Sequence, residues 1–139
     1  MNPKIPTRIA LTATFERCRH NIIWIVAVTV ISLLLATADV SIFFFTAIVP
    51  MMMYEIGGSV SGILSALSIL ALYITCWLLA KKNRGFIAVA LGMFTIDTIV
   101  MIIVVLSDPS AIVNLAFHAF IMVYLVRGTI AWRKLGKTE

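Results

Sequence analysis

Two ionisable side chains lie inside long apolar stretches of the sequence, where such groups are rare. Asp97 stands between Ile96 and Thr98, and His118 follows Phe117 in the next apolar stretch. An unpaired carboxylate costs at least about 2.5 kcal/mol at the centre of a membrane helix, so Asp97 needs a partner or a wet cavity. Histidine changes its charge near neutral pH, and a neighbouring carboxylate tunes that change. An Asp–His pair at this depth is therefore suited to binding and releasing a proton.

The short turn over residues 107–110 makes the two helices that carry these residues antiparallel neighbours. Counting outward from that turn, Asp97 lies at the depth of Phe120, and His118 is offset by about 3 Å. Asn114 lies one helical turn from His118 on the same face. We therefore predict that Asp97, His118 and Asn114 form one polar strip. It serves either as a proton or ion site or as an interhelical hydrogen-bond lock.

The elements that must position this strip are strongly hydrophobic. Of the 139 residues, 62% are hydrophobic and 12% are charged, whereas soluble domains carry about 25% charged residues. A helix needs about 20 apolar residues to span a bilayer. Four stretches qualify, and none alternates like a barrel strand. We predict an all-α, integral membrane four-helix bundle of antiparallel hairpins within residues 22–132, with helices over 22–40, 60–80, 86–106 and 111–130.

Positive charge is confined to three clusters that border these helices. The clusters precede the first helix, separate the second from the third and follow the fourth, so four spans place them all on one side. We predict that this side is cytoplasmic and that both termini lie on it. The membrane is predicted to be a cell membrane of the bacterial inner-membrane type. Residues 1–21 form a basic juxtamembrane segment, either a surface helix or a disordered tail, and 133–139 a basic tail. The predicted cytoplasmic anchors are Lys81, Lys82, Arg84, Arg127, Arg133 and Lys134.

The segment 41–58 fits none of the four spans. Its apolar part is too short to cross a bilayer, and Pro50 would cost a helix interior about 3 kcal/mol. Two placements are open: the first helix continues, tilted, to Val49, or the segment lies at the outer interface as a short helix. We predict an outer interfacial segment over 41–58.

A strip of small residues follows one face of the second helix. Gly58, Gly62 and Ala66 recur at four-residue spacing, and small residues let helix backbones approach closely in lipid. The partner is either another helix of this chain or another protomer or protein. This face favours a non-catalytic membrane subunit or regulator that binds a larger membrane partner. The alternative is a small homo-oligomeric transporter or channel, coupled to protons or cations through Asp97 and His118.

Signatures of enzymes and cofactor sites are missing from the sequence. It contains no GxSxG, HExxH, Walker A or Gly-rich dinucleotide motif. Cys18 and His20 form a Cys-x-His, but no Cys or His cluster completes a metal site. The basic residues border apolar stretches, which favours the lipid bilayer as their partner over nucleic acid. We predict no catalytic activity, cofactor, metal or nucleic-acid partner.

Reporter fusions test the predicted orientation. A reporter fused after Arg84 or after residue 137 should give a cytoplasmic signal, and one fused after Glu55 an external signal. The reason is that an even number of spans keeps every positive cluster on the cytoplasmic side. Paired enzymatic and fluorescent reporters, each active on one side only, measure this. An external signal after residue 137 would contradict the four-span arrangement.

Overall fold

A computed structural model describes residues 8–38 and 47–137, except for the side chains of residues 58 and 59. This part of the chain is all-α. Four of its helices contain stretches long and apolar enough to cross a membrane, which confirms the predicted all-α class and the number of helices able to span. The elements are α1 (Arg8–Thr37), α2 (Ile48–Lys82), α3 (Phe86–Ser107), a 3₁₀ turn (Pro109–Ala111) and α4 (Ile112–Leu135).

The four helices close into a ring around one apolar core. Helix α1 packs on α2 and α4, and α3 packs on the same two helices. Phe15, Ile22, Phe94 and Leu125 fill the centre and are at most 1% exposed. The outward faces are also apolar, as expected for helices surrounded by lipid rather than by water. Hydroxyls such as that of Thr95 donate to the carbonyl one turn earlier, so they add no unpaired polar group to these faces.

Helix α1 starts well before the predicted residue 22. Leu11, Phe15 and Cys18 face the core and are buried, so the apolar stripe of α1 continues toward the N-terminus. The Arg19 guanidinium donates from Nε to Glu16 over 2.9 Å and lies 5.5 Å from the centre of the Trp77 ring. These contacts correct the prediction of a separate surface helix or disordered tail for residues 8–21. Residues 1–7 lie outside the described part.

Helix α2 is sharply bent at its glycines. A Cβ atom added to Gly62 would lie 2.8 Å from the Tyr54 Cα atom, whereas residues eight apart on a straight helix are about 12 Å apart. The helix therefore consists of a first limb (Ile48–Gly57) and a second limb (Val60–Lys82) that fold back on each other. Glycine at position 62 allows this close contact between the two backbones, because it has no side chain.

The first limb lies inside the ring of helices. Ile48 and Met51 are at most 5% exposed. The Ile48 N–H donates to Asp97, which is at the middle of α3, so the limb starts halfway along the bundle. It runs from there to the end of the bundle where Glu55 and Asp108 line a common cavity. We call this the acidic end, and the opposite end, where α2 and α4 finish in basic residues, the basic end.

This placement corrects the prediction of an outer interfacial segment over 41–58. Residues 48–57 are helical and reach the middle of the bundle, and residues 41–46 lie outside the described part. Pro50 occupies the first turn of the helix, where a missing N–H costs nothing, and not a helix interior. The fourth helix also extends beyond its predicted end, because Leu135 is fully buried, so the predicted tail 133–139 begins as helix.

The small-residue face of α2 packs within the chain. Gly62 meets the backbone of Tyr54, and Ala66 is buried in a cluster with Leu33 and Met51. Gly58, the third predicted member, lies outside the described side chains. Because Gly62 and Ala66 are already covered by the first limb and α1, they offer no open face to a second protein.

A glycine-to-alanine comparison tests the bend in α2. Gly62→Ala places a methyl group against the Tyr54 backbone, and overpacking of this kind costs about 1–3 kcal/mol. Gly92→Ala is the matched control, because a Cβ atom there meets no heavy atom within 4 Å. We expect Gly62→Ala to lower the free energy of unfolding in detergent, and Gly92→Ala to leave it unchanged or raise it. Equal stability of the two variants would contradict the close approach of the two limbs.

Candidate functional site

The start of α2 requires hydrogen-bond acceptors inside the bundle, and Asp97 provides them. The first residues of any helix have N–H groups without an intrahelical partner, and Ala47, at the N-cap position, has no side-chain acceptor. The Val49 N–H donates to Asp97 Oδ1 over 2.8 Å, and the Ile48 N–H donates to Asp97 Oδ2 over 3.1 Å. Pro50, the next residue, has no N–H. One carboxylate from α3 thus caps the first turn of α2.

His118 of α4 completes the group. Its Nε2 atom lies 2.9 Å from Asp97 Oδ2, and its Nδ1 atom lies 2.9 Å from the Asn114 carbonyl oxygen. The imidazole stacks on Phe94, with ring centroids 5.1 Å apart and an interplanar angle of 19°. Asp97 is 2% exposed and His118 is fully buried. Both rings and both carboxylate oxygens are therefore fixed by direct contacts.

The contacts of His118 determine how many protons the pair holds. A carbonyl oxygen can only accept, so Nδ1 carries a proton that it donates to Asn114. A second proton must lie between Nε2 and Asp97 Oδ2, because two lone pairs would repel at 2.9 Å. The pair is either imidazolium with carboxylate or imidazole with carboxylic acid. Both forms have zero net charge, which suits a buried site.

A change in the number of protons disturbs these contacts. A further proton on Asp97 would weaken its hydrogen bonds from the N–H groups at the start of α2, because a carboxylic acid is a poorer acceptor than a carboxylate. Loss of the shared proton would place a carboxylate against the Nε2 lone pair and separate the two side chains. A change in the protonation of this pair would therefore weaken the contacts at the start of α2 or separate His118 from Asp97.

A cavity of about 290 Å³ leads from the acidic end toward the pair. Its inner part includes Ile48 and Asn114, whose backbone groups bind Asp97 and His118 respectively. Between the inner part and the mouth, its walls are mainly apolar. The cavity, which we call the acidic-end cavity, is lined by Ile48, Met51, Met52, Glu55, Val104, Asp108, Ser110, Ala111, Val113 and Asn114.

Two carboxylates mark the mouth of this cavity. Both residues line the cavity: Glu55 lies on the first limb, and Asp108 lies in the turn between α3 and α4. Hydrogen bonds from the Ser110 side chain and backbone N–H lower the pKa of Asp108. Asp108 therefore stays negatively charged at neutral pH. The cavity carries negative potential at its entrance and a proton-holding pair beyond its inner end.

The structure brings the predicted polar strip together, with one change in roles. Asp97 and His118 are in direct contact, and Asn114, which is 3% exposed, binds His118 through its backbone carbonyl. The N–H groups of Ile48 and Val49 are functional elements that sequence reasoning missed. A proline in the first turn of a helix, followed by an apolar run, is the signal in the sequence that could have indicated a helix start there.

The predicted anchor residues cluster away from this site. Lys81 and Lys82 end α2, Arg133 and Lys134 lie in the last turn of α4, and Arg84 lies in the turn before α3. Arg127 is exposed on α4. Within residues 8–38 and 47–137, no three His, Cys, Asp or Glu side chains group as metal ligands.

Comparisons with known proteins give this chain no relative. No protein-family model matches it, no curated protein matches it, and no solved structure matches it. The geometry of the Asp97–His118 site therefore carries the functional argument.

A double-mutant cycle tests the energetic coupling of the pair. Asp97→Asn and His118→Ala should each lower the free energy of unfolding in detergent, because each leaves a buried polar partner unpaired. The double variant should cost less than the sum of the two, by about 0.5–3 kcal/mol. Full additivity would mean that the two side chains do not depend on each other.

Hydrogen exchange of the first limb gives the second measurement of the same cycle. Asparagine places an NH2 group where aspartate has one of its two oxygens, so Asp97→Asn in the same position faces either the Ile48 or the Val49 N–H with a donor instead of an acceptor. We expect faster amide exchange in peptides covering 48–57. Thr95→Val is the control, because the Thr95 hydroxyl lies on the same helix and donates to Leu91 outside the pair. Unchanged exchange in Asp97→Asn would refute the capping role.

Proposed function

We propose that this chain is an integral protein of the cell membrane that couples transport to proton binding at Asp97 and His118. The observation that carries this proposal is the meeting of a helix start, a carboxylate and an imidazole at the centre of the bundle, beyond the inner end of a cavity. The transported species is a proton or another cation, since the mouth of the cavity is acidic.

Membrane embedding is supported by the distribution of apolar and basic residues. Ile96, Ile99 and Ile103 on α3 are each more than half exposed, on a face with no covering helix. Such a surface is unstable in water and suits lipid. The basic end then lies in the cytoplasm, with both termini, and the acidic-end cavity opens outward.

The position of the first limb supports transport over a purely structural role. In secondary transporters, interrupted helices start near the middle of the bilayer and bind ions there with their backbone ends. The first limb starts at the middle of the bundle, and its start is capped by Asp97, the carboxylate that contacts His118. Its connection to the second limb is the glycine bend, which gives it a hinge.

We expect the transporting unit to be a homo-oligomer, because four helices of this size enclose little volume for a continuous path. The competing role is a non-catalytic subunit that binds a partner through Gly62 and Ala66. The surface that this role requires is not exposed. Both residues are packed against the first limb or α1.

Proton flux in proteoliposomes tests the proposal. A potassium gradient with valinomycin drives protons inward, and a trapped pH dye reports their entry, with and without a panel of monovalent and lipophilic cations. Wild-type protein should accelerate the pH change. Asp97→Asn should reduce the rate of the pH change to that of protein-free liposomes, because an amide does not bind and release a proton near neutral pH.

Thr95→Val serves as the control, and it should retain wild-type flux because its hydroxyl is bonded within α3. Hydrogen exchange outside the first limb verifies that Asp97→Asn remains folded. If wild-type protein gives no flux under any condition, the pair is a structural cap and not a transport site. Undiminished flux in a folded Asp97→Asn variant would have the same consequence.

A further inference from the structure

A second concave surface lies at the basic end, opposite the acidic-end cavity. The turn between α2 and α3 and the end of α4 enclose a cleft of about 670 Å³, which we call the basic-end cleft. Lys81, Lys82 and Arg84 line it from the turn, and Trp132 and Gly136 line it from α4. None of its lining residues in the described part of the chain is acidic.

The charges of this cleft favour a phosphate group. Three cationic side chains within four consecutive positions reach one concave space, so an anion there contacts several donors at once. Lysine and arginine are the residues that bind phosphate oxygens through charge-assisted hydrogen bonds. A single carboxylate would neutralise less of this positive charge than a phosphate group.

The walls of the cleft favour a ligand with an apolar part. Leu79, Phe86 and Trp132 line it beside the cations. The indole ring of Trp132 lies beside Gly85: a Cβ atom added to Gly85 would lie 3.4 Å from Trp132 Cζ2. Leu79 is 38% exposed, so it connects the cleft with the outer apolar surface of α2. Tryptophan beside cations at the end of a bundle is typical of contact with lipid headgroups.

We infer that the basic-end cleft is a binding site for a phosphate ester, supplied either by the headgroup of an anionic phospholipid or by a soluble organic phosphate. The two sources share the phosphate chemistry and differ in the acyl chains that would extend along Leu79. Neither Asp97 nor His118 lines this cleft, so a ligand bound there does not contact the proposed proton site.

Native mass spectrometry of the purified full chain in detergent tests this site. Phosphatidylglycerol and phosphatidylcholine are titrated separately, and glycerol 3-phosphate is titrated as the soluble probe. Phosphatidylglycerol should bind more tightly than phosphatidylcholine. Lys81→Gln/Lys82→Gln should weaken phosphatidylglycerol binding about 25-fold, at roughly fivefold for each basic side chain beside a phosphate surface.

The matched control is Arg133→Gln/Lys134→Gln. It also removes two positive charges from the last turn of a helix at the basic end, but neither residue lines the cleft. We expect this variant to change binding less than threefold. Equal losses in both variants would show a general electrostatic effect and overturn the site, as would equal binding of the two lipids with no binding of glycerol 3-phosphate. Binding of glycerol 3-phosphate alone, lost in Lys81→Gln/Lys82→Gln, would support the phosphate site with a soluble ligand.

Discussion

The constraint on which the fold depends is that a helix starting inside an apolar bundle must find acceptors for its first N–H groups. Each unpaired backbone group costs several kcal/mol in a membrane interior. Asp97 meets this need for Ile48 and Val49 with two separate oxygens, and Pro50 removes the next donor. The carboxylate itself would be too costly without a positive or proton-sharing neighbour, which is His118. The first limb, α3 and α4 are therefore stable at this point only together.

Much of the bundle was predictable, because span length and charge distribution are properties of the sequence alone. The contact of Asp97 with His118 follows from counting residues on both sides of a four-residue turn. The path of the first limb could not be predicted in this way. Its position depends on Asp97, which lies far along the chain, and Pro50 gives opposite indications in a helix interior and in a first turn. Helix α1 is longer than predicted because the basic residues before residue 22 indicated a juxtamembrane segment, whereas Arg19 pairs with Glu16 and lies against Trp77 of α2.

Coupling between protons and backbone arises because the same two oxygen atoms serve both. Oδ2 of Asp97 binds the Ile48 N–H and shares a proton with His118, and Oδ1 binds the Val49 N–H. A carboxylate that only capped a helix would need no imidazole, and a proton site alone would need no helix start. Under the proposed function, this combination is what would link protonation of the pair to the position of the first limb.

The opposite chemistry of the two ends gives this coupling a direction. At the acidic end, Glu55 and Asp108 border a cavity that leads toward the Asp97–His118 pair and ends at Ile48 and Asn114. At the basic end, Lys81 and Lys82 border a cleft whose lining does not include that pair. A cation that enters from the acidic end is attracted at the mouth and meets the first limb before it meets any lysine or arginine of the basic end. In the proposed transport, displacement of that limb about the glycine bend is the step that would open the remaining path, since Asp97 binds the start of the limb at the middle of the bundle.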